Sequence, residues 1–87
     1  MRTGRPKTPL VLTDEERATL IALGNRSRTR PHLALRARLV LLCAEGLASH
    51  VVARRLRVRD QTVSKWRGRF VRDRLEGLYD EPRPGAP

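Results

Sequence analysis

Gln61, Ser64 and Lys65 fall at i, i+3 and i+4, the spacing that puts side chains on one face of a helix, and Arg59 and Asp60 come immediately before them. The chemistry these residue types can do is hydrogen bonding rather than bond making. Gln pairs bidentately with an adenine edge, Arg with a guanine edge, Asp accepts from cytosine, and Ser or Lys adds a single donor. Around them runs a dense cationic stretch: Arg54, Arg55, Arg57, Arg59, Lys65, Arg67, Arg69, Arg72 and Arg74 against only Asp60 and Asp73, which places most of the chain's net charge of +10 within twenty-one residues. Arg54, Arg55, Arg57, Arg67, Arg69 and Arg72 are candidates for phosphate contacts, because a guanidinium forks two parallel N–H groups toward an oxyanion.

Other chemistries find little support. Cys43 is the lone cysteine and lies in an apolar run, so it reads as packing, with neither a disulfide nor a CxxC metal site available. His32 and His50 have no Cys or acid at a ligand spacing and are expected on the surface. Asp14, Glu15 and Glu16 follow Thr13 as a capping box, which explains the acids as helix-start chemistry rather than an acid–base pair. Trp66 tempts a base-stacking reading, but such platforms use several aromatics and this chain has three, so core packing is expected. No cofactor is implied, and the chain is read as a binding module rather than an enzyme.

The elements that must position these residues follow from periodicity and capping. With Ala53 at the fifth position of a helix-turn-helix unit, Val52, Leu56, Val58, Val63 and Trp66 fall where two short crossed helices touch. A third helix from about His50 to Leu56, capped by Ser49, leads through a sharp turn to a fourth from about Asp60 to Arg74, with Val63, Trp66 and Phe70 inward and Gly77 ending it. The turn carries Arg57 where the usual pattern has Gly, and Arg59 where Ser often stands, so Asp60 is expected to supply the cap. Arg72 and Arg74 suit the negative end of the fourth helix.

Upstream, a first helix starts at Asp14, buries Ala18, Leu20, Ile21 and Leu23, and ends at Gly24-Asn25. NRSRTR, residues 25 to 30, is a basic loop, either a solvated linker or a phosphate contact. Pro31 then opens a second helix whose run from Leu33 to Ala44 is apolar around most of its circumference and forms the buried centre, with Arg36 and Arg38 snorkelling outward and Gly46 as its stop. The expected fold is all-α: a bundle of four to five helices, homeodomain-like or winged-helix-like, with no sheet. Residues 1 to 12 form a basic extended arm, 13 to 78 the helix-turn-helix domain, and 79 to 87 a proline-rich linker. Arg2, Arg5 and Lys7 in the arm are minor-groove or phosphate candidates. Gly4-Arg5-Pro6 matches the heart of an AT-hook, although three residues are a short signal and a basic tail is the plainer reading.

At 87 residues the chain accommodates one small domain. No stretch approaches the length of a membrane span and no signal-peptide core is present, so a cytoplasmic, nucleoid-associated location is expected. The partner these observations imply is double-stranded DNA; a basic bundle that binds RNA or protein is the alternative from another class.

Four phrases extend the reading: LTDEER at 12 to 17, LALRARLVLLCAEGL at 33 to 47, VARRLRVRDQTVSKWRGRFV at 52 to 71, and RLEGLYDEPRPGAP at 74 to 87. In these the chain resembles the N-terminal DNA-binding domain of bacterial mariner-like insertion-sequence transposases. The resemblance implies binding to the terminal inverted repeats of a mobile element, and a separate catalytic domain that joins and cuts DNA with three acids and Mg²⁺; none of that domain lies in these residues. A stand-alone regulator acting as a homodimer on a palindrome uses the same helix-turn-helix chemistry.

Overall fold

A computed structural model describes residues 10–26 and 28–79. Arg2, Arg5 and Lys7, the Gly4-Arg5-Pro6 motif and the proline-rich stretch from Glu81 lie outside the described residues. Within them run four α-helices, α1 (Asp14–Gly24), α2 (Pro31–Ala44), α3 (Ser49–Leu56) and α4 (Asp60–Asp73), then a 3-10 helix, Arg74–Leu78. No strand occurs among the described residues, and the architecture is the all-α bundle expected.

α1 begins where the acids require. The Thr13 hydroxyl accepts from the Glu16 amide at 3.0 Å while the Glu16 carboxylate accepts from the Thr13 amide at 3.0 Å, so the two residues satisfy each other's otherwise orphaned donors. Its buried stripe is narrower than periodicity suggested. Leu20 is fully buried and Leu23 half-buried, but Ala18 is exposed and Ile21 is 48% exposed. The reason is that α1 packs chiefly on one neighbour, α2, through Leu20, Leu23 and Gly24, leaving the opposite face to solvent.

α2 is the centre of the bundle, with Leu33, Ala34, Ala37, Leu39, Val40 and Cys43 all buried. Pro31 occupies its first turn, where its missing N–H costs nothing, and Gly46 beyond its end takes φ +95°, which a side chain would resist. Its two charged residues reach back into the molecule rather than simply to the surface. The Arg38 Nε donates to the Gly24 carbonyl at 3.1 Å, tying α2 to the end of α1, and Arg36 Nη1 donates to the Leu78 carbonyl at 3.0 Å.

The core joins Leu20, Leu39, Val40, Val52, Val63, Phe70 and Leu78, each fully buried, a class of side chain that contributes roughly 1.5–3 kcal/mol on leaving water. Leu10, ahead of the first helix, is buried with them. α3 starts one residue earlier than expected: Ala48 is the cap, extended and without a side-chain acceptor, and Ser49 is the first helical residue.

α4 ends at Asp73 rather than at Gly77. Arg74 swings to φ 58°, and the chain continues as the 3-10 helix in which Gly77 is buried, pressed so close to the Arg69 carbonyl that a Cβ there would overlap it. Gly77 is therefore a packing glycine inside the terminal turn, not a helix stop. Arg74 in turn leaves the end of α4 and forks across to Glu16, with Nε–Oε2 at 2.8 Å and Nη2–Oε1 at 2.6 Å, while also donating to the Val11 carbonyl at 2.7 Å and lying over the Phe70 ring. The fork and the Thr13 amide hold the Glu16 carboxyl at about 2 against partial burial, which acts the other way.

Candidate nucleic-acid interface

The turn between α3 and α4 decides where every outward side chain on α4 points. Arg57 adopts the left-handed conformation, φ 59° and ψ 44°, at the position where Gly is usual. Two hydrogen bonds close the turn around it: Val58 N–H to the Ala53 carbonyl at 2.9 Å and Arg57 N–H to the Arg54 carbonyl at 3.3 Å. This is a Schellman termination, and it is accompanied by its usual apolar partners, buried Ala53 and half-buried Val58. The helix end is thus closed by backbone bonds and packing, at a local cost of about 1 kcal/mol for the non-glycine φ.

Val58 and Arg59 lead into α4. Arg59 is the cap, with extended backbone and no side-chain hydrogen bond to the first turn, so Asp60 does not take over the cap; it is the first helical residue, its charge at the positive helix end. Val63, Trp66 and Phe70 face inward and are buried, as the i, i+3, i+7 spacing requires. Asp60, Gln61, Ser64 and Lys65 are all exposed, Gly68 continues their face without a side chain, and Arg59 is exposed beside them. Arg54 and Arg55 at the end of α3, and Arg57 in the turn, are exposed next to this face in the chain.

The remaining cations behave differently. Arg67 is half-buried. Arg72 is exposed at the far end of α4 and pairs with its neighbour Asp73 at 3.1 Å, an exposed bridge of the kind worth little to stability. Arg69 is spent internally: its Nη2 donates to the Tyr79 carbonyl at 3.0 Å, its Nε is buried without a partner, and its guanidinium lies 5.0 Å from the Trp66 ring centre.

Trp66 therefore has a second role beside packing. Arg36 lies 3.9 Å from its ring centre and Lys65 Nζ 4.9 Å, so three cations surround one indole that is 6% exposed. Arg36 and Arg69 each give an N–H to one of two consecutive carbonyls, Leu78 and Tyr79, and so fasten the 3-10 helix to α2 and α4. The Trp66–Arg69 spacing of three is a legible signal for one of these contacts. Nothing local signals Arg36, which comes from thirty residues earlier.

Residues 36–87, more than half of the chain, match the family described as winged helix-turn helix. The chain belongs to that family. The match starts inside α2 and takes in α3, the turn, α4 and the 3-10 helix, so it covers the whole motif derived above and leaves out α1. As a winged helix-turn-helix domain the chain is of a DNA-binding class, and its described residues supply the helix-turn-helix part without a strand. No curated protein and no solved structure matches the chain. Among the described residues no three His, Cys, Asp or Glu side chains gather where a metal could be held, and no helix is long and apolar enough to cross a membrane.

Proposed function

We propose that this domain reads double-stranded DNA by laying the amino-terminal half of α4 in the major groove, with Arg59, Asp60, Gln61, Ser64 and Lys65 toward base edges. The observation that carries the reading is the single exposed face of Gln61, Ser64, Lys65 and Gly68 behind which Val63, Trp66 and Phe70 are buried. A helix anchored on one side and polar on the other can enter a groove without giving up core contacts. Arg54, Arg55, Arg57 and Arg67 are the phosphate contacts beside it, with Arg72 at the far end and Arg69 retained as a structural tie. Gly68 lets the groove wall approach the middle of α4.

The target favoured is the terminal inverted repeat of a mobile element, supported by the resemblance of LTDEER, the α2 run, WRGRF and DEPRPG to mariner-like transposases. In that setting the domain brings DNA ends to a catalytic domain carried elsewhere in the protein, and the basic arm with Arg2, Arg5 and Lys7 adds contacts alongside.

Selection of binding sites from random duplex DNA tests the reading. The expected result is a defined site, with Gln61→Ala and Lys65→Ala each relaxing preference at one or two base pairs, by roughly 1–3 kcal/mol of discrimination. Arg55→Ala should weaken all sequences about equally. Binding to random duplex with no selected preference would sink the proposal in favour of a non-specific basic bundle. Selection of a palindrome bound by two copies would point instead to a stand-alone regulator.

A further inference from the structure

We infer that the loop between α1 and α2 is a second DNA-contacting surface, gripping phosphates of the same duplex whose bases α4 reads; the inference rests on that reading. Its residues are Arg26, Arg28 and Arg30, spaced by two and all exposed. Among the described residues none of the three side chains has a hydrogen bond or ion pair, whereas Arg36, Arg38, Arg69, Arg72 and Arg74 are all engaged within the fold. The first turn of α2 carries no acid. The charge that Glu16 could offer is already taken by Arg74. Three guanidinium groups on one short loop, with no acid partner among the described residues, favour a polyanion over a neutral partner.

The described loop residues on either side of position 27 already have backbone hydrogen bonds within the fold. Arg26 N–H bonds the Leu23 carbonyl at 3.0 Å, Thr29 and Arg30 N–H bond the Arg26 carbonyl at 3.1 and 2.9 Å, and Ala34 N–H bonds the Arg30 carbonyl at 2.9 Å. A backbone tied at both ends loses little freedom on binding.

Its position separates it from the base-reading face. Thr29, Arg30, His32 and Arg36 share an open hollow of about 320 Å³ with Leu78 and Tyr79, so the loop lies beside the segment that follows the carboxyl end of α4. Gln61 lies near the opposite end of that helix, twelve residues before Asp73 and so about 18 Å away along its axis at 1.5 Å per residue. That distance exceeds the major-groove width of about 12 Å, which sets the loop against a flanking strand rather than in the groove being read. In homeodomains the segment just before the first of three helices reaches the DNA beside the groove that the third helix reads. α2, α3 and α4 repeat that order, and this loop is the segment that comes just before α2 in the chain. Held between two helices, it cannot thread a groove as a free arm does, so its contact is with phosphates.

The test compares the full chain with its Arg26→Ala/Arg28→Ala/Arg30→Ala variant on the selected duplex, measuring affinity from low to moderate salt. Three phosphate contacts predict that the slope of log affinity against log salt becomes shallower by roughly 2–3, with the base preference unchanged. The triple Arg→Lys variant should keep the wild-type slope, and the far-ultraviolet circular dichroism of both variants should match the wild type. Trimming the duplex on one flank of the site should cost the wild type affinity and leave the Ala variant unaffected. An unchanged slope in the Ala variant, or a changed base preference, overturns the loop's role while leaving the reading by α4 in place. A wild-type chain that binds no duplex overturns both.

Discussion

Glu16→Gln isolates what the link between the two ends of the domain contributes. The substitution keeps an oxygen that can accept from the Thr13 amide, so it removes the charge facing Arg74 rather than the cap. A carboxyl held at about 2 instead of 4.5 corresponds to roughly 3 kcal/mol of preference for the charged form in the folded state. Arg74 is 41% exposed, although Glu16 is only 12% exposed, so solvent screening reduces the effect to roughly 1–2 kcal/mol. For a domain of this size that is a fall in Tm of roughly 4–15 °C near pH 7. The pH dependence has a definite sign. A carboxyl whose folded value is depressed stabilises fully above its ordinary 4.5 and ceases to do so as pH falls through about 2. Thermal or urea unfolding of both proteins from pH 7 to pH 2 should therefore show a gap in stability that is constant to about pH 5 and closes toward pH 2. A gap that persists undiminished at pH 2, or a Tm change under 1 °C at pH 7, would refute the assignment of the stabilisation to the ion pair.

Two substitutions at the ends of α3 should both stabilise the domain but differ in their effect on DNA binding. Arg57→Gly relieves a left-handed φ of 59° and should raise stability by about 0.5–1 kcal/mol in urea titrations, while weakening duplex binding and making its salt slope shallower by about 0.9. Ala48→Ser supplies the acceptor that the start of α3 lacks; the extended backbone already suits a cap, and unfolding should show a gain of about 1 kcal/mol with DNA affinity unchanged.

Much of the fold was legible because its signals are local. Thr13 with Glu16 starts α1, Pro31 starts α2, Gly46 follows its end, and the spacing of Val52, Leu56, Val58, Val63 and Trp66 by itself locates the crossed pair. The exposed face of Gln61, Ser64 and Lys65 follows from the same periodicity. What escaped depends on long-range placement. Ala18 and Ile21 look buried by composition, but whether a helix buries one stripe or two depends on how many neighbours it has. Gly77 looks like a stop because glycine often is one; its actual constraint is the Arg69 backbone, eight residues earlier and folded against it. Arg69 reads as one more cation in a basic run, and only the arrival of the Tyr79 carbonyl shows it engaged within the fold.

The paired ties from Arg36 and Arg69 to Leu78 and Tyr79 hold main-chain oxygens and not side chains. These ties act on the backbone and add to the hold that the fully buried Leu78 side chain already has on the core. The last described turn is thus bound to α2 and α4 together, so any rotation of the bundle carries the Leu78–Tyr79 backbone with it as part of one body.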